Sequence, residues 1–373
     1  MVSGEVAELP TYSEDVWTGR HVPRGVLVPF RGQVGTPAPH ALDLTSLVVR
    51  HGATELRAGV DYLVDEVYGT ICLPPGALGP LTVTLDYRYS LLRIDSVVTT
   101  QDGERRLLRG VSHLTAPHPP QAGDDEVLEA NLLIAPSAQH PQIFAPHPAA
   151  APPALPTGSL PRSAGRLAEG APLRILFLGD SITEGGDAST DEAAFRSVAA
   201  RIVQERHPSV HALVAATGGS RSVQWLDPDD ATCDWDRVAS SSPDLTVVEF
   251  FNDAYLEPGL WPPTYDDLVV RLSALGSEVV LLTPTFAMRS AMHGSDARDD
   301  GRPYVRFLRE YAERNALPLI DVSARWERLR EEGLPYWTLL ANGINHPDDR
   351  GHRLTGEAVG AALLHLLRPA GQA

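Results

Sequence analysis

The chain has 373 residues, 43% of them hydrophobic and 21% charged, which is the balance of a folded protein and too much length for one small core. Its formal net charge of -17 opposes nucleic acid and anionic membrane as main partners, because both repel it. The two cysteines, Cys72 and Cys233, lie in different halves of the sequence, which excludes a disulfide framework and a zinc site built from cysteine alone.

The opening MVSGEVAELP lacks the basic patch and apolar run of a secretion signal, and no stretch reaches the apolar length that spans a bilayer. A soluble, cytoplasmic protein is expected. Residues 1–135 read as a β-rich domain of the sandwich type. GVLVPF, SLVVR, LTVTLDYRYS, LLRIDSVVTT and EVLEANLLIA are short apolar or alternating runs, separated by turn clusters such as LPPGALGP and TQDGE. GVDYLVDEVYGTI also alternates like a strand. Residues 136–172 are rich in Pro and Ala and read as an extended linker or a strap. Their histidines, His140 and His147, together with His113 and His118, show no metal-ligand spacing and read as solvated.

From residue 173 to 373 the pattern changes. LRILFL, VHALVAA, DLTVVEF, EVVLLT and LPLIDV are the continuous apolar runs of strands buried on both faces, and helical patterns lie between them. Alternation of this kind predicts an α/β domain with a doubly wound parallel sheet, whose ligands sit outside the carboxyl ends of the strands. A fragment beginning near Arg162 is expected to hold a complete core.

Ser181 stands at such an end, in LFLGDSITEGG. Gly-Asp-Ser alone is weak evidence, arising by chance on the order of one time in ten in a chain this long. An ordinary turn explains it, with Gly179 giving backbone freedom and Asp180 or Ser181 capping a helix. Three later segments raise the functional reading. The second strand ends in ATGGSRS, where Gly218 and Gly219 let the backbone approach a ligand closely. The third ends in EFFNDAY, where Asn252 offers an amide. His346 sits in a stiff loop, NGINHPDDRGHRL, before the last helix. A serine hydroxyl needs a base to take its proton, and the oxyanion of acyl transfer needs fixed donors, each worth about 10²–10³ in rate.

These four blocks resemble, in order and spacing, the SGNH (GDSL-type) hydrolase superfamily, over residues 165–367. The resemblance implies a flavodoxin-like sheet, Ser181 as nucleophile and His346 as base. It also implies an oxyanion hole from the Ser181 N–H, the Gly219 N–H and the Asn252 side chain. Two positions depart from the family pattern. Phe250 replaces the glycine of Gly-x-Asn-Asp, and reads as core filling or as a reshaped pocket floor. Gly343 stands three residues before His346, where the family carries the aspartate of Asp-x-x-His. A Ser-His dyad is therefore expected, with a backbone carbonyl or an amide near Asn342 and Asn345 holding the imidazole. Asp348 and Asp349 are further candidates to orient it, although their place suits capping of the final helix. His352 reads as packing or capping rather than as a competing base. Trp225 reads equally as pocket wall or as core, and His293 as an exposed residue or part of the substrate mouth.

The first reading is thus a serine esterase acting on an O-acyl ester, with a small acyl group on a carbohydrate or other polyhydroxy substrate and no metal or organic cofactor. Acyl transfer to an alcohol uses the same groups. A non-catalytic carbohydrate- or protein-binding module on a degenerate hydrolase scaffold is the reading from another class, supported by Gly343 and Phe250. Oligomeric state is not legible.

Overall fold

The computed structural model describes residues 1–12, 38–147, 155–289, 291–292 and 301–368, so GVLVPF and His293 lie outside the described residues. The chain forms two compact units. One comprises Met1–Pro148, Ala287–Ala291 and Arg330–Asn345; the other comprises Ala149–Phe286, Met292–Leu329 and His346–Ala373.

The first unit is antiparallel. Strands β1 (Val2–Leu9), β2 (Leu42–His51), β3 (Thr54–Glu55), β4 (Leu63–Val64), β5 (Ile71–Cys72) and β6 (Leu81–Tyr89) come first. They are followed by β7 (Arg93–Thr100), β8 (Arg105–Leu108), β9 (Glu126–Ile134) and β10 (Gln142–Phe144). Two four-stranded sheets form, ordered β1-β6-β2-β3 and β10-β9-β7-β8, beside a β4–β5 pair. Alternation drives the pairing: in β6, Val83, Leu85 and Tyr87 are buried while the residues between them are less so. Each larger sheet carries its own apolar cluster, one around Val49, Leu85 and Tyr87, the other around Ile94, Leu133 and Phe144. GVDYLVDEVYGTI forms only the short β4–β5 hairpin. The Asp65 carboxylate accepts from the Val67 and Tyr68 amides, and this turn interrupts the run that alternation alone would extend.

Two features of the organisation go beyond the sequence reading. The Pro/Ala-rich span 136–172 contains β10, paired with β9, and the helix α1 (Pro161–Ala168). Gln-Ile-Phe supplies a strand, and a proline at the first helical turn is preset for a helix start. The later sequence also returns two segments to the first unit. Trp337 packs edge-on against Phe144 at 5.7 Å, and Met288 and Ile344 cluster with Tyr68. A fragment beginning near Arg162 would strip these side chains of their partners.

In the second unit, α1 is followed by β11 (Leu173–Gly179), α2 (Ser181–Glu184), α3 (Phe195–Arg206), β12 (Val210–Ala216), α4 (Ser222–Leu226), α5 (Trp235–Ser241) and β13 (Leu245–Glu249). Then come α6 (Trp261–Ala274), β14 (Glu278–Leu282), α7 (Pro303–Arg314), β15 (Leu319–Ile320), α8 (Val322–Glu327) and α9 (Asp349–Leu366). The strands form one parallel sheet ordered β12-β11-β13-β14-β15, the flavodoxin-like order. Strand order reverses at β11, so the crevice beyond its carboxyl end is where this architecture places ligands. Helix α9 lies close on α3 because Gly356 leaves no Cβ, which would stand 2.6 Å from the Phe195 carbonyl oxygen and from Val198 Cβ. No helix among the described residues is long and apolar enough to cross a membrane.

Candidate functional site

Strand β11 is buried along nearly its whole length and stops at Gly179, where the chain must pass between backbone and side chain. A Cβ there would lie 2.2 Å from the Glu249 carbonyl oxygen. Asp180 then caps α2, one carboxylate oxygen accepting from the Ile182 amide at 3.1 Å and the other from the Asn252 amide at 2.8 Å. That single buried carboxylate ties the serine turn to the loop after β13. Burial raises Asp180 to about 7 against the pull of those two amide donors. Beneath it the Thr183 hydroxyl donates to buried Glu249, whose carboxyl is also pushed up by burial. Asp253 is raised to about 6, again chiefly by burial, while the Ser222 amide and the Tyr265 hydroxyl donate to it.

Ser181 therefore begins α2 with its side chain aimed at the loop before α9. Its Oγ is 2.9 Å from His346 Nε2. On the other ring nitrogen, Nδ1, stands Asp187 Oδ2 at 3.0 Å. A carboxylate beside Nδ1 keeps the proton there, so Nε2 is free to accept from the serine. The glycine block flanks the same point: a Cβ on Gly218 would be 3.9 Å from Ser181 Cβ and 3.2 Å from the Glu184 carboxylate. Gly219 is left-handed at φ +76°, a conformation that glycine adopts without cost. Asn252 is buried, and its Nδ2 donates to the Ser220 carbonyl at 3.1 Å, which fixes the amide and leaves its second hydrogen to point elsewhere.

The structure thus brings Ser181, His346, Gly219 and Asn252 to one sheet edge and puts a carboxylate where sequence reading expected a carbonyl or an amide. The named candidates for holding the imidazole are engaged in other contacts. Asn342 accepts from the Ile344 and Asn345 amides and donates to the Asn345 side chain, shaping its own turn. Asp348 caps α9 through the Arg350 and Gly351 amides. Asp349 binds the Ser189 amide at 2.8 Å and its hydroxyl at 2.6 Å. Asp187, six residues after the serine, was missed. The only signal for it was an acid directly after the glycine pair of ITEGGD.

The remaining side chains take the plainer of their readings. Phe250 and Trp225 are core residues of the sheet's cluster, with the Trp225 indole donating to Ser220 Oγ. His352 is fully buried and stacked on Phe195 at an interplanar angle of 5°. His113 Nδ1 accepts from the Thr115 and Ala116 amides, which is turn chemistry.

Residues 177–354 match the GDSL-like lipase/acylhydrolase family. No curated protein sequence matches the chain. Among solved structures, a two-domain esterase active on acetylated mannans is similar at 22% identity and a TM-score of 0.46, over 58% of this chain and 56% of that one. The chain thus spans little more than half the length of that relative. An acetyl xylan esterase is similar at 21% identity and a TM-score of 0.42, over 51% of this chain and 100% of the other. An α/β hydrolase enzyme from the metagenome of Lake Arreo, Spain, is similar at 21% identity and a TM-score of 0.41, over 52% and 96%.

Proposed function

Starting from a domain of the GDSL-like lipase/acylhydrolase family at residues 177–354, we propose that this protein is a serine esterase that removes a small O-acyl group from a carbohydrate or other polyhydroxy compound. The observation that carries the reading is the 2.9 Å contact between Ser181 Oγ and His346 Nε2 at the carboxyl end of β11. Oγ attacks the ester carbonyl as its proton passes to Nε2. The resulting imidazolium returns that proton to the leaving alcohol, and an acyl-serine remains. Water then enters, gives a proton to the same nitrogen and attacks the acyl carbon, and collapse releases the acid and restores Oγ–H.

Both tetrahedral intermediates carry a negative oxygen. The first N–H of α2 belongs to Ser181 and is one that a helix cannot use internally. With the Gly219 N–H and the second Asn252 amide hydrogen, it supplies an oxyanion hole that needs no rearrangement as charge develops.

The charge around the serine supports this substrate class. Glu184 places an exposed carboxylate beside the serine, on a chain of net charge -17. Anionic surroundings suit a neutral, hydroxyl-rich alcohol better than a fatty acyl tail or an acidic leaving group. A panel of acetylated oligosaccharides and aryl esters of two to twelve carbons, with Ser181→Ala as blank, tests this. Serine-dependent turnover should favour the acetylated sugars and the shortest esters. A preference for long acyl chains would overturn the substrate assignment, and turnover surviving Ser181→Ala would overturn the mechanism.

A further inference from the structure

Residues 185–189, between the serine helix and α3, form an unusual turn for their composition. Gly185 and Gly186 both donate their amides to the Ser181 carbonyl, at 3.1 and 2.7 Å, and Ala188 donates to Gly185. The next residue, Asp187, is left-handed at φ +62°, a conformation uncommon outside glycine and one that aspartate tolerates better than most residues. The turn folds back on itself, and its carboxylate meets His346 Nδ1 at 3.0 Å.

Two contacts from α9 grip this turn on either side of Asp187. Before it, the Gly186 carbonyl accepts from His352 Nε2 at 3.0 Å. His352 Nδ1 accepts from the Phe195 amide at 3.2 Å, so the ring is the neutral tautomer with its proton on Nε2. Burial favours that neutral form. After Asp187, the Ser189 amide and hydroxyl both bind the Asp349 carboxylate. Asp349 and His352 lie in the first turn of α9, directly after the loop that carries His346. One helix start therefore locates both partners of the Asp187–His346 contact.

We propose that Asp187 supplies, from the nucleophile's own turn, the carboxylate that the histidine block lacks at Gly343, and that Asp349 and His352 are positioning residues that set its aim. The proposal rests on the esterase reading. As Ser181 Oγ bonds to the carbonyl carbon and its proton moves to Nε2, the Nδ1–H stays on the ring, hydrogen-bonded to Asp187. The carboxylate keeps its charge and faces the new imidazolium. Asp180 and His352 also sense the charge on His346 but are placed to hold backbone, not the Nδ1 proton.

The test is hydrolysis of a short aryl acetate from pH 5 to 9 by the full chain, with active enzyme counted by a serine-directed phosphonate. Asp187→Asn should lower kcat by about 10³–10⁴ with little change in KM, and should move the acid limb of kcat/KM to lower pH, because the imidazolium loses its counter-charge. Asp349→Ala should lower kcat by about tenfold to a hundredfold, and its limb should move in the same direction. Asp349→Asn, which can still accept from the Ser189 amide, should recover most of the loss. A purely structural role for Asp349 would reduce the active fraction and leave the limb of the surviving enzyme in place. Should Asp349→Ala fail to fold, Ser189→Ala removes one of the two contacts and should give a smaller shift of the same sign.

An Asp187→Asn enzyme within threefold of wild-type kcat, with its limb unmoved, would overturn the assignment of the acid. Unmoved limbs in both folded Asp349→Ala and Ser189→Ala would overturn the clasp alone. Activity surviving Ser181→Ala is a separate result, because it would remove the esterase mechanism on which both rest.

Discussion

Replacing Gly186 with alanine sets a wedge against the candidate base without changing the chemistry of any side chain that exchanges protons. A Cβ at this position would stand 2.9 Å from both Cε1 and Nδ1 of His346, and 2.9 Å from the Ser181 carbonyl oxygen. Relaxed carbon contacts lie at about 3.5–4.0 Å, so ring and turn must separate by roughly half an ångström or more. The serine contact that this displacement disturbs is only 2.9 Å long. If a 1 Å misplacement costs about 10² in rate, half of that costs about tenfold, which is about 1.4 kcal/mol in the barrier. Stability should fall by about 1–3 kcal/mol, the usual toll of an added methyl in a packed site. Gly186 has no positive φ, so backbone strain adds nothing to the effect. Steady-state hydrolysis of an aryl acetate, normalised by phosphonate titration and run beside a thermal melt, separates the two losses. A Gly186→Ala protein that melts below wild type yet keeps full kcat would refute the role assigned to the Ser181–His346 contact.

Ser181→Ala should abolish ester turnover and phosphonate labelling while the thermal melt changes little. His346→Ala should approach the same loss of turnover. Asn252→Ala should lower kcat by about 10²–10³ with a smaller change in KM, because the oxyanion exists only after attack; a pure KM effect would make Asn252 a ground-state contact. Stability should fall as pH rises through the window set by Asp253. Its carboxyl is lifted in the fold from 3.8 to about 6, so the unfolded chain loses this proton first, and stability present below about pH 4 is lost by about pH 6, at a scale of about 3 kcal/mol. Asp253→Asn should reduce that slope in melts from pH 4 to 7, with the raised carboxyls of Asp180 and Glu249 carrying the remainder, and an unchanged slope would refute the assignment. A fragment beginning at Arg162 should express poorly or aggregate, since Trp337, Met288 and Ile344 lose the partners they have in the first unit; a soluble, active fragment would show that these contacts are dispensable.

The parallel sheet was legible because its strands announce themselves. LRILFL and DLTVVEF are buried on both faces, and a run without polar alternation has little else to become between helical patterns. The antiparallel unit was legible in β2, β6, β7 and β9, since alternation in β6 and β9 matches a sheet with one face covered, whereas β1, whose run is broken by Gly4 and two glutamates, was not read as a strand. What period cannot report is a turn that overrides it, as Asp65 does in GVDYLVDEVYGTI. Nor can it report segments that serve the first unit from far along the chain. Trp337 lies in a one-turn helix and Met288 in an irregular stretch, and their partners near residues 68 and 144 carry no mark of the pairing.

The site divides along the same physical line. Groups at strand ends are tied to the sheet, so the proposed site residues Ser181, Gly219 and Asn252 fall at fixed distances from recognisable strands, which is where sequence reading looks for them. The acid is under a looser constraint. It has to bring one carboxylate oxygen within hydrogen-bond reach of Nδ1, and any backbone passing that side of the ring can do so. In this chain the turn after Ser181 passes there, with Gly186 clearing the ring and Asp187 turned inward by its left-handed backbone. An aspartate three residues before the histidine would do the same work from the other loop, and Gly343 shows that this position is not used. Reading the histidine block alone therefore points to a dyad, whereas the paired glycines before Asp187 mark where the proposed acid would enter. Spacing within a block finds groups fixed by a strand; a group fixed only by what it must reach has to be found by asking which turns have the room to reach it.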